Sequence, residues 1–156
     1  GYYGENVANP GFVLEFEIEK HHSALFSLPL RGNLGYHSNP DYHAFTLDIH
    51  KGFRKYFSSG LFLEQSVGAG LITKSFKEAD YWYADKYMTS IAHGNKPTWG
   101  FMPSVTVGAG YNLAAKNEAS RLLWIRPKVY WDLGFRGLEL PYFALQLGYT
   151  HTFKTK

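Results

Sequence analysis

Apolar and polar residues alternate with a period of two along most of this chain. The last segment shows it most cleanly. In Phe143–Phe153 (FALQLGYTHTF), residues Phe143, Leu145, Leu147, Tyr149, His151 and Phe153 share one face, and Ala144, Gln146, Gly148, Thr150 and Thr152 share the other. This is the pattern of a strand with one apolar face and one small or polar face. Gly11–Lys20 sets Phe12, Leu14, Phe16 and Ile18 against Val13, Glu15, Glu17 and Glu19. Phe26–Tyr36 sets Phe26, Leu28, Leu30, Leu34 and Tyr36 against Ser27, Pro29, Arg31 and Asn33. Pro29 has no ladder donor, so it predicts an edge strand or a bulge there.

Tyr42–Tyr56, Leu61–Thr73, Phe101–Leu113 and Leu122–Phe135 repeat the alternation. Turn-forming residues at His37–Asp41 and Phe57–Gly60 separate them. SVGAGLI (Ser66–Ile72) and TVGAGYN (Thr106–Asn112) form a weak internal repeat. Lys74–Trp99 keeps no period and reads as a long loop, with a short hairpin around Tyr81–Ile91. No helical period competes with the alternation. Seven segments are strand-like, and closure into an even-numbered barrel asks for an eighth. The Tyr81–Ile91 region and the turn-rich arm Gly1–Pro10 are the candidates for it. The expected fold is an all-β, antiparallel up-and-down transmembrane β-barrel of eight strands. It is expected to be one domain over residues 1–156, with an N-terminal arm at 1–10 and a long loop at 74–99.

Composition favours the membrane version of that barrel. Of 156 residues, 18% are aromatic, with 12 Tyr, 12 Phe and 4 Trp, as suits girdles at two membrane interfaces. Charged residues make up 19%, and mean hydropathy is slightly negative. A wall that is apolar outside and polar inside averages to such a value. No stretch approaches the roughly 20 apolar residues of a membrane helix. An exported chain that begins at Gly1 has already lost its leader. The formal charge of +3 is scattered without a basic stripe, so nucleic acid is not an expected partner. The absence of cysteine excludes disulfides, thiolate catalysis and Cys-based zinc sites.

The C-terminal segment Gln146-x-Gly148-x-x-His151-x-Phe153 resembles the closing-strand signal of outer-membrane β-barrels. It departs from that signal at His151, where a hydrophobe is usual, and in the three residues Lys154–Lys156 that follow the final Phe. The run GYYGENVANPG, the HxxP of His37–Pro40 and the VGAGY-type strands resemble small outer-membrane barrels of uncharacterised role in Bacteroidetes-like bacteria. The resemblance covers residues 11 to 153 or so and implies no catalytic residues. It implies a bacterial outer-membrane location, with outer-membrane lipid and another outer-membrane protein as partners.

In a membrane barrel the polar positions face the lumen. That rule collects Glu15, Glu17, Glu19, Asp48, Glu64 and Asp132 with Arg31, Arg54, Arg126 and Lys128 as an interior charge network. Opposite signs come from different strands, as mutual pairing requires. A lumen of eight strands is just wide enough for side chains, which argues against a porin. The long loop offers Tyr81, Trp82, Tyr83 and Tyr87 as a partner-binding surface, because Tyr and Trp combine area with a polar handle. The seven histidines show no metal-ligand spacing, although His37 and His43 flank one turn. No cofactor is expected. Lipid A deacylases carry His and Ser on their last strands. Here His151 is followed by Thr152 and Phe153, with no serine nearby. The leading expectation is a non-enzymatic structural or accessory subunit. The alternatives are a soluble lipocalin-like barrel binding a small hydrophobic ligand, with its apolar face inward, and a lipid A-modifying acyl hydrolase.

Overall fold

The computed structural model describes residues 1–5, 9–23, 25–77, 80–84, 89–93, 97–113, 121–133 and 141–151. They form β1 (Tyr2–Glu5), β2 (Asn9–His21), β3 (Phe26–Ser38), β4 (Tyr42–Tyr56) and β5 (Leu61–Phe76), then β6 (Asp80–Ala84) and β7 (Thr89–His93), then β8 (Thr98–Asn112), β9 (Arg121–Trp131) and β10 (Pro141–His151). Every pairing is antiparallel. The wall runs β1-β10-β9-β8-β5-β4-β3-β2, and β6 and β7 form a separate two-stranded sheet.

Seven of the wall strands are long, from 11 residues in β9 to 16 in β5. The count of full-length strands is therefore seven, not the expected eight. The closing position is held by the four-residue β1, which pairs with Ala144–Leu147 of β10 on one side and Asn9–Phe12 of β2 on the other. Residues 1–10 are thus not simply a turn-rich arm. Gly1 exchanges both backbone hydrogen bonds with Val13 (2.8 and 2.7 Å). Beyond that point, no strand among the described residues pairs with this edge of β2 between Leu14 and His21. Among the described residues the barrel is nearly closed, with a seam along β2 from Leu14 to His21.

The hairpin expected around Tyr81–Ile91 is present as β6–β7, with Asp80 opposite His93 and Ala84 opposite Thr89. It lies in the connection between β5 and β8, at what we call the hairpin end. The opposite, C-terminal end carries the turns at 22–25 and 57–60 and the last residue of β10. Gly60 takes φ +87° in its turn, a conformation that favours glycine. The expected loop 74–99 is shorter than predicted, because β5 continues to Phe76 and β8 begins at Thr98.

Pro29 is at neither an edge nor a bulge. It sits inside β3, paired with Glu19 on the β2 side. On the β4 side the ladder skips from Ser27↔Arg54 to Leu30↔Lys51 with no change of register. The missing donor is accommodated by omitting bonds rather than by inserting a residue. Gly52 stands across the gap, where an added Cβ would meet the Pro29 ring at 3.3 Å. Pro127 and Pro103 lie at the same kind of interruption between β8 and β9.

The interior is layered along the axis. Going up β5, the inward residues are Phe62, Glu64, Ser66, then Ile72 and Lys74. Phe62, Leu122 and Trp124 close the C-terminal end, with Tyr56 against them. A polar layer follows. Val13, Ala44, Ile72, Met102, Tyr130 and Ala144 form a second apolar layer toward the hairpin end, with Tyr42 and Tyr142 packed on it.

Candidate functional site

Period-two geometry on β2 to β5 and β8 to β10 aims alternate side chains at the axis. Inward rows of different strands thereby meet across the axis. Glu64 is the hub of the polar layer. Arg31 Nη1 donates to its Oε1 (2.6 Å) and Arg54 Nε to its Oε2 (2.8 Å), and Arg126 Nε donates to its Oε1 as well. Arg54 reaches back to Glu17 through Nη2 (2.8 Å) and to Glu19 through Nη1 (3.0 Å). The Tyr56 hydroxyl donates to Glu19 (2.6 Å), and Arg126 donates to Glu15. The Arg126 guanidinium also lies 3.8 Å from the centre of the Trp124 ring, a cation–π contact. Gly108 leaves the necessary room: a Cβ there would meet Arg126 Cγ at 2.8 Å and Glu64 Cγ at 3.0 Å.

A second group adjoins the hub. Asp48 accepts from Lys128 Nζ (2.6 Å) and Asn33 Nδ2 (2.6 Å), and lies 3.0 Å from His50 Nε2. His50 contacts Ser66 through Nδ1 (3.3 Å) and Ser104 through Nε2 (3.2 Å). Ser66 also accepts from Arg31 (2.5 Å), which joins the two groups. Asp132 stands apart. It pairs with Lys74 (2.7 Å) near the hairpin end, where the Lys74 ammonium sits 4.5 Å from the Tyr142 ring centre and 5.0 Å from that of Tyr42.

Lys74 is the interior charge that the sequence reading missed, because it was counted into the loop. Its signal was parity, since it continues the even-numbered inward row of β5. His50, Ser66 and Ser104 also fall on inward positions, but nothing in their spacing announces a shared contact. The Ser, His and Asp types that meet here invite comparison with a hydrolytic triad. All are enclosed in the barrel, Asp48 is already neutralised by Lys128, and Ser66 is already engaged by Arg31 and Thr106. His37 and His43 do not approach one another. His37 is buried beside Tyr42, whereas His43 bonds the Tyr36 hydroxyl through Nδ1 (2.8 Å). Of the expected loop surface, Tyr81, Trp82 and Tyr83 belong to β6, and Tyr87 lies outside the described residues.

No protein-family model, curated protein or solved structure matches this chain.

The outer wall is the converse of the interior. Phe16 is 77% exposed, Ile18 73% and Val67 64%, while Arg31 and Arg126 are 1% exposed and Arg54 is fully buried. Apart from Phe16 at the middle of β2, most outward aromatics lie toward the strand ends. Phe12, Tyr36, Phe45, Trp99, Phe101 and Phe143 lie toward the hairpin end, and Phe26, Phe53, Tyr111 and Tyr149 toward the C-terminal end. Leu14, Leu34, Leu47, Ile49, Val105, Ile125 and Leu147 occupy the band between. Across β8, β9 and β10, Gly110, Trp124 and Gly148 stand in one cross-strand row. There the wall dips into an apolar hollow of about 670 Å³.

Proposed function

We propose that this protein is a non-enzymatic transmembrane β-barrel of a Gram-negative outer membrane, serving as a structural or accessory subunit beside another outer-membrane protein. The observation that carries this reading is the inverted sidedness. An apolar band, interrupted by the exposed Lys51 between Leu30 and Val67 and by Gln65, faces outward, and a paired ionic network fills the axis. In water such a band is a large aggregation-prone patch. In a bilayer it is the surface that acyl chains solvate, with aromatic girdles at the two interfaces. The packed axis leaves side chains, not an aqueous channel, at its centre, which favours a structural role over transport. The hairpin β6–β7 and the apolar wall are the surfaces offered for docking.

The lipocalin-like alternative needs the opposite arrangement, with apolar residues inside and glutamates in water. Glu15, Glu17 and Glu64 engage arginines inside the barrel, so nothing favours that reading. Fractionation tests the proposal. The native protein is expected in the membrane fraction, resisting alkaline carbonate and released by detergent. Brominated acyl chains are expected to quench the outward Trp99. Recovery in the aqueous fraction without detergent would end the reading.

A further inference from the structure

The outward face near the C-terminal end joins the apolar hollow to a cationic rim. Going toward that end, one cross-strand row is Ala109, Ile125 and Leu147, and a later row is Tyr111, Leu123 and Tyr149. Both rows line the hollow, with Gly110, Trp124 and Gly148 between them and Ala109 the smallest outward side chain. The next outward pair below Leu123 and Tyr149 is Arg121 opposite His151, both exposed. Around the same rim, Lys20 on β2 and Lys55 on β4 are also exposed, and Lys55 Nζ lies over the Phe26 and Phe57 rings at 5.8 and 5.4 Å. Among the described residues this half of the outer wall carries no exposed carboxylate, since Glu15, Glu17, Glu19 and Glu64 all turn inward. These acidic groups are spent on the interior, and the charge that the described residues leave at this rim is positive.

We propose that this half of the wall binds an anionic glycerophospholipid, with an acyl chain in the hollow over Ala109 and the phosphate at Arg121. The proposal rests on the membrane reading and deepens it by naming the lipid class. Charge complementarity selects the occupant. The Arg121 cation at the end of an apolar hollow matches a molecule with a long apolar tail and a phosphodiester head, whereas a neutral or purely apolar partner brings no counter-charge to Arg121. A planar guanidinium forms paired N–H···O bonds with phosphate oxygens, which a point charge does not. A volume of about 670 Å³ falls within the range of about 300–1,000 Å³ of small-molecule sites. Tyr111 and Tyr149 bring hydroxyls to the depth of the headgroup region, where such residues concentrate in membrane proteins.

The test is native mass spectrometry of the full chain released from neutral detergent micelles, with added phosphatidylglycerol or phosphatidylcholine of the same acyl length. The protein is expected to retain phosphatidylglycerol preferentially. Replacing Arg121→Ala is expected to lower that occupancy about fivefold. Ala109→Trp is expected to fill the hollow and lower retention of both lipids. Lys77→Ala, which removes an exposed cation at the opposite end, is expected to leave retention unchanged. Arg121 is exposed and outside the interior network, so its variant keeps the fold in place if Ala109→Trp does not. Equal retention of the two lipids, or retention indifferent to Arg121→Ala, overturns the proposal. Insertion into phosphatidylcholine vesicles is measured in parallel. A protein that inserts but shows no preference loses only this inference, whereas one that does not insert loses the membrane reading and this inference with it.

Discussion

At the scale of single residues, the chain separates two fates for charge. Glu64 is fully enclosed and neutralised by three guanidinium groups, those of Arg31, Arg54 and Arg126. Removing one partner from a buried ionic cluster leaves uncompensated charge, at a cost of about 3–5 kcal/mol. Glu64→Gln is therefore expected to lower unfolding stability by that amount, read from the urea midpoint of the vesicle-inserted protein. A loss below about 1 kcal/mol is the value for a solvated surface pair and would contradict an enclosed hub. The outer wall gives the complementary test. Val67 lies near the middle of β5 and is 64% exposed. Val67→Arg is expected to cost about 2–4 kcal/mol in a bilayer, where arginine at mid-depth is penalised, and no more than about 1 kcal/mol if that face meets water, where the cross-strand Lys51 adds a like charge. The two substitutions probe the same assignment of sides from opposite directions.

At the scale of elements, what was legible depended on length and parity. Strands of 11 residues or more repeat the alternation often enough to be read, and parity alone assigned Glu15, Arg31, Asp48, Glu64 and Arg126 to one side of the wall. β1 was not legible. Its four residues, YYGE, span too few alternations to show a period, and they are held by backbone pairing on both edges, not by side-chain pattern. Lys74 was lost because a run of polar residues hid the end of β5. Phe62, Leu122 and Trp124 were hidden for another reason. They are apolar residues on inward positions, and only the three-dimensional convergence of their strands shows that they cap one end of the core. Pro29 misled because its cost was assigned to an edge, when the wall absorbs it by skipping ladder bonds opposite Gly52. The closing role of β1 yields a further expectation. Deleting residues 1–5 leaves Asn9–Phe12 and Ala144–Leu147 each without a partner on one edge. The freed N–H and C=O groups lengthen the unpaired edge that β2 already has from Leu14 to His21. Hydrogen exchange is expected to rise in both β2 and β10 while β4 and β5 stay protected. Unchanged protection would mean that the seven long strands close without β1.

At the scale of the whole molecule, the two ends are unlike, and that difference predicts an orientation. The hairpin end carries the longest connection, residues 77–97, which includes β6 and β7. The C-terminal end carries the four-residue connections 22–25 and 57–60, the eight-residue connection 113–120, all shorter than 77–97, and the cationic rim of Lys20, Lys55 and Arg121. Outer-membrane barrels keep short turns on the periplasmic side and long loops outside. The hairpin end is thus expected at the cell exterior and the cationic rim at the periplasmic leaflet. The chain has no cysteine of its own, so single cysteines report their side without background. Lys77 and Ser59 are exposed at opposite ends and lie outside the strands, so substitution at either leaves the wall intact. With a membrane-impermeant maleimide on intact cells, Lys77→Cys is expected to label at once. Ser59→Cys is expected to label only after the outer membrane is permeabilised. Labelling of both on intact cells would exclude a spanning barrel. Labelling of Ser59→Cys alone would keep the barrel but turn it over, placing the Arg121 rim in the outer leaflet and the hairpin in the periplasm.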